Sequence, residues 1–107
     1  MMISATLRIV APLQQRKRVM EILRSISEPI KAEPGCIGLN IYQDLDDKEV
    51  IILEEVWQSQ TDLDRHIRSE RYRSILTLMD MSSEPPEIRF NTIAHSAGIE
   101  AIQAVRG

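Results

Sequence analysis

Residues 50–76, VIILEEVWQSQTDLDRHIRSERYRSIL, read as a strand, a tight turn and an amphipathic helix. In an extended chain Val50, Ile52, Glu54 and Val56 point to one side, and Ile51, Leu53, Glu55 and Trp57 to the other. Both sides are largely apolar, so both should be covered. The adjacent carboxylates Glu54 and Glu55 interrupt the run, one on each side. Ser59 or Thr61 can cap the helix that follows, and Asp62 and Asp64 suit its positive end. Leu63, His66 and Ile67 share a helical face by their spacing. That face turns His66 back toward the strand, so Trp57, Glu55 and His66 are expected to line one cavity between helix and sheet.

Residues 2–10 alternate, with Ile3, Ala5, Leu7 and Ile9 opposite Ser4, Thr6 and Arg8, which predicts a half-buried strand. Residues 13–32 carry an apolar stripe of Val19, Ile22, Leu23, Ile26 and Ile30. Pro29 inside that stripe should kink or end the helix. Glu33-Pro34-Gly35 reads as a turn. Residues 36–44 form a second strand, with Ile37, Leu39 and Ile41 facing away from Cys36, Gly38, Asn40 and Tyr42. Gly38 there suggests a bulge or a close approach. The later helical pattern shifts at Ser69 and Glu70, which predicts two pieces. Residues 87–96 alternate as a fourth strand, and residues 97–107 form a C-terminal arm or short helix.

The order is β-α-β-β-α-β. It predicts an α+β, ferredoxin-like domain spanning residues 1–107, with its core at about 2–96. Its sheet would be four-stranded and antiparallel, with both helices on one face. The other face would keep apolar side chains, which a symmetric dimer would cover.

Composition narrows the function classes. The chain has 107 residues, 43% hydrophobic and 27% charged, which suits one folded domain. A net charge of −3 offers no basic field for nucleic acid or membrane surfaces. The arginines and lysine at 16–18 and 65–73 alternate with acids and read as solvated helix faces. One cysteine, Cys36, cannot form a disulfide within the chain and suggests a reducing, cytoplasmic setting. The opening MMISATLRIVAP lacks the basic start and cleavage site of a signal peptide. No apolar run approaches the roughly 20 residues of a membrane span.

His66 is the first candidate for chemistry, since an inward histidine can hold or move a proton near neutral pH. It reads equally as a half-buried residue that hydrogen-bonds Glu55 or a backbone carbonyl and fixes its helix. Glu55 is either the acid–base partner or a structural carboxylate paired with Arg8 or His66. In an apolar strand it needs a partner of some kind. Trp57 is either a wall for a flat ligand or a core residue. Tyr72 is either a hydroxyl donor or a core edge. Asn40, Tyr42, Thr6 and Arg8 are weaker lining candidates. The two histidines, His66 and His95, lie far apart and no ligand-spaced cluster exists, so no metal is expected. No flavin, nicotinamide or phosphate-loop motif appears, and no cofactor is expected.

The pattern Glu55, Trp57, Ser59, Leu63, His66, Ser69, Tyr72 resembles the antibiotic biosynthesis monooxygenase (ABM) domain, of the dimeric α+β barrel superfamily. The resemblance runs over nearly the whole chain. It implies a homodimer with a β-barrel-like core. It also implies cofactor-independent oxidation, by molecular oxygen, of a small hydrophobic or aromatic substrate such as a phenol or quinol, with His66, alone or together with Glu55, as base. Two alternatives stay open: a non-catalytic dimeric module that binds a small ligand, and an isomerase of a small metabolite using the same histidine. The haem-degrading branch of the family is not matched. Its tryptophan and histidine positions fall at His66 and Leu76, and the first strand offers Thr6 where an asparagine would be wanted.

Overall fold

The chain is described here by a computed structural model covering residues 1–107. Its elements are β1 (Met2–Val10), a 3-10 turn (Leu13–Gln15), α1 (Arg16–Lys31), β2 (Cys36–Gln43), β3 (Val50–Trp57), α2 (Gln60–Arg68), α3 (Tyr72–Asp80), β4 (Glu87–Ile93) and α4 (Ile99–Arg106). The four strands form one antiparallel sheet in the order β2-β3-β1-β4. The predicted α+β, ferredoxin-like order is therefore present.

The period-two pattern of the strands sets the core. Ile3, Leu7 and Ile9 of β1 and Ile51, Leu53 and Trp57 of β3 share one sheet face. There they meet Val19, Leu23, Ile26 and Ile30 of α1, Leu63 of α2, and Ile75 and Leu78 of α3. All are buried, which gives a single continuous core. The expected interruption after Arg68 is real. Ser69 is extended, at φ −73° and ψ 156°, and separates α2 from α3.

Two expectations need correction. First, of the two effects expected of Pro29, a kink or an end, the end does not occur: α1 continues to Lys31, as its apolar stripe predicted, with Ala32 bonding back to the Glu28 carbonyl. Proline removes the bond to the Ser25 carbonyl, but Ser25 is exposed and water can satisfy that oxygen. Burial of Ile26 and Ile30 on either side of Pro29 holds the helix together. Second, the two faces of β2 are offset at its start. Cys36 pairs with Trp57 and Gly38 with Val56, so Ile37 is the extra residue of a bulge. Cys36 therefore packs on the core face with Leu39 and Ile41, while Ile37 is left exposed. Gly38 marks the bulge and nothing approaches it closely.

The opposite sheet face is open, and register gives its layout. One row across the strands reads Asn40, Glu54, Thr6, Arg89, and the next reads Tyr42, Ile52, Arg8, Glu87. The middle of this face is thus polar, with both signs of charge, whereas β3 taken alone reads as apolar. None of Glu54, Arg8, Glu87 and Arg89 is ion-paired within the chain.

The C-terminal segment is helical. α4 buries no residue, and Ile99, Ile102 and Val105 are 71%, 60% and 88% exposed along one side of it. The molecule measures 50 × 34 × 23 Å. No helix is long and apolar enough to cross a membrane.

Candidate functional site

The site is assembled from four places in the chain. β3 supplies Glu55 and Trp57, two residues apart and hence on the same face. The indole N–H of Trp57 donates to Glu55 Oε1 at 3.0 Å. α2 supplies His66 and is fixed at its start by Ser59, whose hydroxyl accepts from the Asp62 backbone N–H at 3.2 Å. α3 opens with Tyr72. The turn between α1 and β2 supplies Glu33.

His66 is fully buried between these groups. Its ring stacks on Trp57 at 4.5 Å between centroids and meets the edge of Tyr72 at 5.2 Å. Nδ1 lies 3.1 Å from both carboxylate oxygens of Glu33. Nε2 lies 3.3 Å from Glu55 Oε2. That pair is close enough for charge attraction but is not aligned as a hydrogen bond, and neither atom has another partner. Arg71 closes the chain of charges on Glu33 Oε2 at 3.2 Å.

Burial alone would lower the His66 pKa, but Glu55 and then Glu33 overcome it and hold the ring above its ordinary value. Burial raises the Tyr72 phenol, and the Glu55 charge adds to this. Burial likewise raises the Cys36 thiol, with Glu55 and Glu33 adding, so Cys36 is a poor nucleophile.

Glu33 reaches His66 because of the turn it sits in. Gly35 takes φ +81°, a left-handed conformation natural to glycine, and a Cβ there would collide with the Asp62 side chain. Gln58 N–H bonds the Gly35 carbonyl at 2.8 Å and pins the turn against the end of β3.

Beside this cluster lies an apolar cleft between α3 and the sheet. Its walls are Ala5, Leu7, Leu53, Ile75, Ile88 and Phe90, with Glu55 and Tyr72 as the polar contributors. As it stands the cleft holds only about 10 Å³, room for one water molecule. Its mouth is at β4, an edge strand beyond the helices, where Ile88 and Phe90 are exposed.

The candidates therefore divide. Glu55, Trp57, His66 and Tyr72 come together, but only Glu55 and Tyr72 line the cleft. His66 and Trp57 stand behind Glu55, so the expectation that all three residues line one cavity is corrected. Thr6, Arg8, Asn40 and Tyr42 lie on the open face, separated from His66 by the thickness of the sheet. Thr6 and Arg8 border a second hollow there, about 250 Å³, with Ile52, Glu87, Ile88, Arg89 and Asn91. Arg8 is not the partner of Glu55. Glu33 is not singled out by the sequence, where it reads as part of a turn, and no local spacing connects it to His66.

Known proteins share this fold. Residues 2–77 match the family described as antibiotic biosynthesis monooxygenase. A crystal structure of a conserved protein from Methanosarcina mazei Go1 is 26% identical, with a TM-score of 0.78 over 84% of this chain and 90% of that one. A structure from Mycobacterium tuberculosis is 20% identical, with a TM-score of 0.82 over 92% of this chain and 100% of that one, and shows a shared fold. An uncharacterized protein of Synechocystis sp. is 25% identical over 83 residues, which are 77% of this chain and 56% of that protein. The chain thus spans little more than half the length of this curated relative. With most of its length matched, the chain belongs to the antibiotic biosynthesis monooxygenase family.

Proposed function

We propose that this protein is a cofactor-independent monooxygenase acting on a small aromatic phenol or quinol in the cleft between α3 and β4. The observation that carries this reading is a buried carboxylate, Glu55, on the floor of an otherwise apolar cleft with Tyr72 as its second polar group. An apolar slot with few polar groups suits a flat ring bearing one acidic hydrogen.

Glu55 takes that proton. The resulting anion passes an electron to molecular oxygen, the radical pair forms a C–O bond, and water leaves. For an anthrone-like ring methylene, one dioxygen is consumed, and the products are a ring carbonyl and one water. One oxygen atom stays on the carbon, and the other leaves with both methylene hydrogens. The protein supplies the base, a dry wall and the Tyr72 hydroxyl as a donor to the substrate oxygen. A cleft of about 10 Å³ must open to admit a ring. The break at Ser69 lets α3 tilt away from the sheet while α2, held by the Ser59 cap and His66, stays in place.

In this reading the whole chain acts as one domain of a cytoplasmic homodimer, with a second copy on the open sheet face. Support comes from Ile52 and Val56 half-exposed there, and from charged groups of both signs without partners of their own. The test is oxygen uptake by purified protein with a panel of quinols and anthrone-like phenols. Uptake is expected, and Glu55→Gln should lower kcat by about 100-fold or more.

The narrowness of the cleft favours a second reading, a dimeric module that binds a small apolar ligand without turning it over. Quenching of the single tryptophan by the same panel, without uptake, would select it.

A further inference from the structure

We infer that Glu33, braced by Arg71, is a positioning residue that fixes His66 as an imidazolium, so that His66 is the charged support of Glu55 and not the base. This rests on the reading of Glu55 as the group that meets substrate.

A neutral imidazole has one N–H and one bare nitrogen, so it suits a donor on one side and an acceptor on the other. His66 has carboxylate oxygens on both sides, Glu33 within hydrogen-bond geometry and Glu55 placed for charge attraction. Nδ1 faces the two oxygens of Glu33 at 3.1 Å, and Nε2 faces Glu55 Oε2 at 3.3 Å. A bare nitrogen at either place would confront a carboxylate with nothing between. The ring cannot turn to escape, because it is fully buried with Trp57 on its face and Tyr72 at its edge.

The surroundings balance. Two carboxylates, Glu33 and Glu55, meet two cations, His66 and Arg71. The other titratable groups packed around the cluster, Cys36 from β2 and Tyr72 from α3, are neutral at pH 7, both held above their ordinary pKa values. A ring already carrying both protons accepts none from a substrate. Proton abstraction therefore falls to Glu55, which lines the cleft where His66 does not.

The test reads the ring nitrogens by 15N NMR in the full-length protein as pH is varied. At pH 7 both nitrogens of His66 should be protonated. Glu33→Gln removes one negative charge and should move the ring's titration to lower pH. Arg71→Gln leaves Glu33 uncompensated and should move it to higher pH. Opposite shifts from neighbouring substitutions cannot arise from loosened packing, and the partly exposed Arg71 gives a variant that folds even if Glu33→Gln does not.

A bare His66 nitrogen at pH 7, or both variants shifting the same way, would overturn the inference. The NMR result stands apart from turnover. An imidazolium without oxygen uptake supports this assignment and sinks the oxygenase reading alone.

Discussion

Gly35 and Asp62 sit so close that no side chain fits at position 35, and φ there is +81°. Gly35→Ala should therefore cost about 1–2 kcal/mol for the left-handed backbone, plus the loss of the Asp62 bonds to Ser59 and Arg65. Urea unfolding measures it, and Asp62→Ala in the same chain should return part of the loss. His66 gives a second test at this scale. Its pKa is raised in the folded protein, so the stability it contributes is fully present below the unfolded value of 6.5 and fades as pH rises through the folded value. The unfolding midpoint should fall over that interval, and His66→Gln should flatten the dependence. The His66, Glu55, Trp57 and Tyr72 cluster was legible because local spacing places each on an inward face. Glu33 was not, since it lies 33 residues from His66 and reaches it only through the turn at Gly35.

Among the elements, α1 runs on past Pro29 to Lys31, following its apolar stripe rather than the break that a proline favours. An interior proline costs about 3 kcal/mol, and its stiffening of the unfolded chain returns up to ~1 kcal/mol. Pro29→Ala should raise stability by about 2 kcal/mol, the difference of those two effects, seen as a higher urea midpoint. The core stripe on both sides of Pro29 explains why local propensity lost. Strand boundaries were legible from alternation, but the direction of β2's first residues was not. One extra residue, Ile37, reverses the alternation that assigned Cys36 to the far face. The same limit applies to Thr6, Arg8, Asn40 and Tyr42. Alternation separates the two sides of a strand, but only pairing register tells which side of one strand matches which side of the next. That is why residues grouped as lining candidates lie on two faces.

For the whole molecule, the order of elements sufficed for the fold, while the open face and α4 are the surfaces that the proposed second copy would cover. A protein of 12.2 kDa should sediment at about twice that mass at micromolar concentration. Glu54→Arg, which puts three arginines together with Arg8 and Arg89 on the open face, should shift it toward monomer. The strand order carries a further consequence, for synthesis on the ribosome. β1 is central, yet its neighbours β3 and β4 are made much later, and β4 begins only at Glu87. At roughly 5–20 residues per second, the stretch from Trp57 to Ile93 takes a few seconds to make. Throughout that time one edge of β1 has no partner and offers its backbone to any passing strand. A nascent chain stalled before residue 87 should thus be a favoured client of ribosome-bound chaperones, and the released chain, free to pair β4 with β1, should not.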